Sequence, residues 1–144
     1  MLKGIPDILS PELLKILMEM GHGDEIVLAD GNFPSAALAK RLIRSDGNGV
    51  PELLDAILEF FPLDTYCDKP VCLMAVVQGD ITVPVIWEKY GEILDRHDER
   101  GNGCICRIDR FDFYERAGKA YAVIATSEKA IYGNIIIKKG QVVQ

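Results

Sequence analysis

Two histidines occur in this 144-residue chain, and they stand in different company. His22 lies in Gly21-His22-Gly23-Asp24-Glu25, and the apolar run Ile26-Val27-Leu28-Ala29 that follows ends in Asp30. Imidazole titrates near neutral pH, and flanking glycines free a loop to turn it toward a cavity. Asp30 falls at the carboxyl end of a buried strand, where open α/β sheets build ligand sites. Together, His22 and Asp30 are read as acid–base equipment. The plainer alternatives are a solvent-facing loop histidine and a turn aspartate ahead of Gly31-Asn32. Asp24 and Glu25 are assigned to caps and surface ion pairs. His97, within Asp95-Arg96-His97-Asp98-Glu99-Arg100, is assigned to a solvated charged face.

Two further sets suit the binding of hydroxyl groups. Arg110 falls between a strand and a helix, where its planar donor fork could grip ligand oxygens. A surface ion pair with Asp109 or Glu115 is the ordinary alternative. Tyr132-Gly133-Asn134 precedes Ile135-Ile136-Ile137, and a phenol and an amide at the start of a strand can address hydroxyls. Gly-Asn is also plain turn chemistry. Of the four cysteines, Cys67, Cys72, Cys104 and Cys106, none forms a Cys-x-x-Cys pair. Cys104, Cys106 and His97 leave a metal-site alternative, but Cys72 and Cys106 lie in apolar runs where free cysteine packs as a small hydrophobe. No disulfide is expected in a reducing compartment. Dinucleotide, P-loop and nucleophile-elbow motifs are absent. A neutral, oxygen-rich ligand and general acid–base chemistry remain, with no metal or cofactor called for.

The net charge of −6 argues against a nucleic-acid partner, which needs clustered Lys and Arg. No apolar run approaches the ~20 residues of a membrane span, and Met1-Leu2-Lys3-Gly4-Ile5-Pro6 lacks a signal-peptide core. A cytoplasmic protein is expected. With 49% apolar residues the chain can build a full core, and one domain over residues 1–144 is expected.

The elements that must position these residues are well punctuated. Ser10 caps a helix begun by Pro11-Glu12, with Leu13, Leu14, Leu17 and Met18 as its stripe and Gly21 as its stop. Glu25 to Asp30 is a strand. Ser35 caps a short helix, Leu42 to Arg44 is a strand, and Asp46-Gly47-Asn48-Gly49 is a turn. Pro51 opens a helix carrying Leu53, Leu54, Ile57, Leu58 and Phe61. Val71 to Val77 reads as a strand covered on both faces. Val85, Ile86, Tyr90, Ile93 and Leu94 mark a helix after Pro84, and Asp98 to Gly103 a polar loop. Ile105 to Ile108 is a strand, Phe111 to Ala117 a helix, and Tyr121 to Ala125 and Asn134 to Ile137 the last strands. This alternation predicts a single three-layer α/β/α domain with a mixed or largely parallel sheet.

In this order, several short pieces resemble the ribose pyranase/fucose mutarotase family, RbsD/FucU, nearly end to end. They are Ser10-Pro11-Glu12-Leu13-Leu14, Met20-Gly21-His22-Gly23-Asp24-Glu25-Ile26, Asn32-Phe33-Pro34, Arg44-x-Asp46-Gly47, Phe113-Tyr114-Glu115-Arg116-Ala117 and Tyr132-Gly133-Asn134. Arg110 stands where the ribose branch typically has histidine, and Gly133 where it has alanine, so the resemblance points to the fucose branch. It implies a mutarotase that exchanges α and β anomers of L-fucose without cofactor. His22 would be the proton donor. Asp30, Arg110, Tyr132, Gly133 and Asn134 would be sugar-binding positions, with Gly133 leaving room beside Tyr132 for a substituent. It also implies a homo-oligomer, a decameric ring among the forms, with sites near subunit boundaries. A sugar-binding or transport-accessory module without turnover would use the same hydroxyl-binding residues. The titratable His22 favours the enzyme, and a purely structural subunit leaves it unexplained.

Overall fold

The computed structural model describes all residues from Met1 to Gln144. The first helix, α1 (Pro11–Glu19), starts where Ser10 accepts the Leu13 N–H, with Pro11 in the first turn. It buries Leu13, Ile16 and Leu17, and Met20 just beyond. These residues follow the i, i+3, i+4, i+7 rule of one helix face. Met18, expected in the stripe, falls outside that face and is 84% exposed.

The strands are β1 (Glu25–Ala29), β2 (Leu42–Ser45), β3 (Val71–Met74), β4 (Ile105–Ile108), β5 (Ala122–Thr126) and β6 (Ile135–Lys138). They form one sheet in the order β2-β5-β1-β6-β3-β4. Pairings β1–β5, β2–β5 and β3–β4 are parallel, whereas β6 runs antiparallel to both β1 and β3. The sheet is therefore mixed, with β6 as its one reversed strand. β3 ends at Met74, short of the expected Val77, because its partner β4 ends at Ile108 after a last bond to the Ala75 N–H.

The remaining helices are α2 (Ser35–Leu38), α3 (Val50–Leu58), α4 (Ile86–His97) and α5 (Arg110–Lys119), with a 3-10 turn at Gly101–Cys104 in the expected loop. Strand side chains alternate between two cores, as the pleat requires. Ile26, Leu28, Leu73, Ile124, Ile135 and Ile137 pack with α1, α3 and α4, while Val27, Ala29, Cys72, Val123 and Ile136 pack with α5 and Phe33. This is the expected three-layer α/β/α arrangement. Ser35 does not cap α2: Pro34 occupies the cap position without a side-chain bond, and the buried Ser35 Oγ has no partner.

Candidate active site

The carboxyl end of β1 delivers Asp30 into a pocket of about 200 Å³. Asp30 is buried, and its Oδ1 accepts the Asn32 N–H at 3.0 Å. Burial pushes its carboxyl above the usual carboxylate range, against N–H donors from Asn32, Gly133 and Phe33 and the Asn134 side chain. Asn134 also accepts the Asp30 backbone N–H at 2.7 Å through Oδ1, which turns its NH₂ group toward the carboxylate side. Phe33, Tyr114, Arg110 and Tyr132 complete the wall.

Arg110 is the first residue of α5, whose N-terminus is capped by Asp109 accepting from the Phe111 and Asp112 N–H groups. A cation at the positive end of a helix dipole is electrostatically misplaced. The alternative ion pair with Asp109 or Glu115 does not form: Glu115 bonds Lys119, and Arg110 donates only to the Tyr114 hydroxyl, at 3.2 Å. Its guanidinium thus reaches the pocket without a carboxylate of its own.

Tyr132 is the one non-glycine residue with positive φ, at 58°. Such a backbone persists only when its surroundings fix it. Trp87 Nε1 donates to its carbonyl at 2.9 Å, and its hydroxyl donates to Asp80 Oδ2 at 2.7 Å while accepting the Val77 N–H. The bond to Asp80 raises the phenol above its usual range. With its hydroxyl committed, Tyr132 presents its ring. The expected room at Gly133 does not exist: a Cβ there would lie 2.9 Å from the Ala130 carbonyl oxygen and 3.5 Å from Asp30 Cβ. Gly133 instead allows a close backbone approach, with its carbonyl accepting from Tyr90 Oη.

His22 is elsewhere. It precedes β1, in a loop tied down by Gly23 N–H to the Lys139 carbonyl (2.8 Å), Gly21 N–H to Asp24 (2.7 Å) and Lys139 Nζ to the Leu17 carbonyl (2.9 Å). Gly23 supplies a φ of +88°. The expected union of His22 with Asp30 in one chain does not occur, because the length of β1, about 17 Å at ~3.3 Å per residue, separates them. The carboxylate at His22 is Asp64, whose Oδ1 lies 3.0 Å from Nε2, and the Tyr66 ring lies alongside with centroids 5.2 Å apart. His97 is less solvated than expected: its Nε2 bonds Asp55 of α3 at 2.7 Å. Cys104 donates to the Gly101 carbonyl, and His97, Cys104 and Cys106 form no group that could hold a metal ion. Glu25 pairs with Arg116 at 2.7 Å, as its assignment to ion pairs anticipated.

A larger groove of about 530 Å³ lies beside Gly49, Glu52, Lys89 and Glu128. Its Glu128 is already spent on the Val50 and Ala130 N–H groups, and none of the convergent polar groups above reaches it. The smaller Asp30 pocket is therefore the candidate site.

The model of the RbsD/FucU transport protein family matches residues 3–142. The chain belongs to this family. It is 53% identical to a fucose mutarotase of Danio rerio, over 96% of this chain and 93% of that protein. It is 51% identical to an L-fucose mutarotase of Haemophilus influenzae, over 97% and 96%. A Streptococcus pneumoniae fucose mutarotase solved in complex with L-fucose superposes with a TM-score of 0.95, at 55% identity over 99% of this chain and 100% of that one.

Within this RbsD/FucU chain, the sequence missed Asp64 and Tyr66. Pro62-Leu63-Asp64-Thr65-Tyr66 carries no periodicity. It is brought to His22 by the Asp64 N–H bond to the Lys138 carbonyl, the Gly140 N–H bond to the Pro62 carbonyl and a bridge between Leu63 and Lys139. No local signal links residues so far apart in sequence.

Proposed function

We propose that the protein is an isomerase that interconverts the α and β anomers of L-fucose. The observation that carries this is the Asp30–Arg110–Asn134 pocket in a chain about half identical, over nearly its full length, to fucose mutarotases. A carboxylate, an unpaired guanidinium and an oriented amide suit vicinal hydroxyls, and the aromatic wall of Phe33, Tyr114 and Tyr132 suits a sugar face. Asp30, lining the pocket with Arg110 and Asn134, accepts from a sugar hydroxyl in this reading.

Ring opening breaks the bond between C1 and the ring oxygen. The ring oxygen gains a proton, the anomeric hydroxyl loses one, the carbonyl rotates, and closure reverses each transfer. His22 as imidazolium supplies the first proton. General acid–base help of about 10²–10⁴-fold suffices for a reaction that already proceeds in water. A binding module would need only the pocket.

A single chain lacks the acid at its pocket, so His22 comes from a second copy of the chain. Both ends of the molecule expose apolar side chains: Val77, Phe111 and Ile131 around the pocket, and Met18 and Tyr66 around the His22 loop. Joining one end to the other is a head-to-tail contact, which forms a ring where the rotation between successive copies closes. We assign the protein to such a homo-oligomer in the cytoplasm, in line with a decameric ring. No helix is long and apolar enough to cross a membrane.

The test is NMR saturation transfer between L-fucose anomers, with and without protein. Unchanged exchange would leave only a binding role. Co-assembling two inactive variants, His22→Ala and Arg110→Ala, should restore activity at about one site in four if each site draws on two copies. Failure to restore any activity in a mixed assembly would confine the site to one chain.

A further inference from the structure

We infer that Asp80 is a positioning residue for the sugar pocket: its carboxylate anchors the Tyr132 hydroxyl, which fixes the Tyr132 ring and straps the segment between β3 and α4 to the pocket wall. The consequence for L-fucose rests on the proposed reaction. The segment leaves β3 at Ala75, whose N–H donates to the Ile108 carbonyl at 2.7 Å, and reaches α4 after Pro84. Between those points it has no helix or strand. A turn from Val77 to Asp80 shapes it, closed by the Asp80 N–H on the Val77 carbonyl at 3.0 Å. Gly79 supplies the φ of +89° at the third position of that turn. From residue 76 to residue 83, every hydrogen bond to another part of the chain ends on one atom, Tyr132 Oη. Val77 and Tyr132 both line the Asp30 pocket, whereas Asp80 stands outside it.

Asp80 is itself held in place. Its Oδ1 accepts from the Thr82 N–H at 2.9 Å and from the Thr82 hydroxyl at 2.6 Å, which leaves Oδ2 for the phenol. Donors from Thr82 and Tyr132 keep this carboxyl below its usual range. An ionised carboxylate only accepts, so the phenol is the donor of the 2.7 Å bond. Bonds of this kind are shorter and stronger than neutral ones. A phenol has one proton to give, and here it goes to Asp80 while the Val77 N–H takes a lone pair of the same oxygen. Arg110 is the other charged group facing this hydroxyl. Two ties thus fix Tyr132, the Trp87 bond at its carbonyl and the Asp80 bond at its hydroxyl. Only the second also reaches the segment that carries Val77.

A double-mutant cycle tests this. In Asp80→Ala, KM for L-fucose should rise about two- to tenfold and kcat should fall by less. The Val77 amide should exchange faster with solvent, and the Tyr132 phenol should titrate at lower pH. Tyr132→Phe keeps the ring and removes the hydroxyl, so it should raise KM by the same factor. Adding Asp80→Ala to Tyr132→Phe should then cost nothing further. Asp80→Asn, which keeps a polar partner for the hydroxyl, should recover part of the affinity. Additive losses in the double variant would place the effect of Asp80 elsewhere and overturn the proposal. A loss in Tyr132→Phe far beyond that in Asp80→Ala would put the hydroxyl on the sugar itself and overturn it too. Should Asp80→Ala fail to fold, Tyr132→Phe decides alone: wild-type KM and wild-type Val77 exchange there refute the anchor. Absence of both anomer exchange and L-fucose binding in the wild-type protein would instead refute the proposed reaction, and the Val77 and phenol measurements would still decide the anchor.

Discussion

At the Asp30 end of β1 a carboxylate is buried among N–H donors, whereas at the Glu25 end an imidazole stands half-exposed over a buried carboxylate. The first arrangement fixes a carboxylate by enclosing it. The second fixes an imidazole by enclosing only its partner. A group that must hold hydroxyls in one geometry gains from enclosure, because low dielectric strengthens each hydrogen bond. A group that must trade protons with a ligand needs an open edge. The same strand thus ends in two sites of different character.

The largest expected effect comes from removing the open group. His22→Ala should lower anomer exchange by about 10²–10⁴-fold with an unchanged circular dichroism spectrum and unchanged L-fucose binding. Loss of binding instead would erase the distinction between the two ends. Next, Arg110→His removes one hydrogen bond from a charged donor at the enclosed end. That bond contributes roughly 1.5–3 kcal/mol, so L-fucose exchange should drop about ten- to hundredfold, and more than any exchange of D-ribose. An equal loss on both sugars would mean that Arg110 grips a hydroxyl common to them.

The two carboxylates should also titrate in opposite senses. Asp30 is raised above its ordinary value of 3.8 by burial, so its stabilising contribution is complete below that pH and is lost as pH rises through its native value. Asp64 is lowered from 3.8 despite burial, so its contribution is present above that pH and is lost as pH falls through its native value. Carboxyl ¹³C titration should place the Asp30 midpoint above 3.8 and the Asp64 midpoint below it. A reversed order would show that the two ends are not electrically distinct. The smallest effect is reserved for the other histidine. His97→Gln removes a link between α4 and α3 and should cost roughly 1 kcal/mol or less, read as a small shift in Tm, with anomer exchange unchanged.

Most of the fold could be read locally. Ser10, Pro11 and the stripe through Leu13 and Leu17 define α1, although Met18 was read into that face and Ile16 was not, and unbroken apolar runs define β1, β3 and β6. Arg110 and Asn134 were legible as groups suited to hydroxyls and Asp30 as a strand-end carboxylate, and the three line one pocket. What was not legible depends on distance and direction. His22 and Asp30 look adjacent because only a short run separates them, yet an extended strand holds its ends far apart. Asp64 comes to His22 through backbone pairing with β6, which no local pattern records. Gly133 reads as open space, but the direction of its absent Cβ is filled by the Ala130 carbonyl.

β6 touches both ends. Asn134, just before it, accepts the Asp30 N–H, and Lys138, its last residue, accepts the Asp64 N–H. The reversed strand is therefore a gauge block, setting how far the Asp30 pocket stands from the His22 loop. In a head-to-tail ring that length also fixes the step from one copy to the next. One residue added to β6 would turn Ile135, Ile136 and Ile137 to the wrong faces. Two residues would keep the faces and lengthen the gauge by about 7 Å, leaving each end chemically intact and, in the proposed head-to-tail ring, lengthening the step between copies.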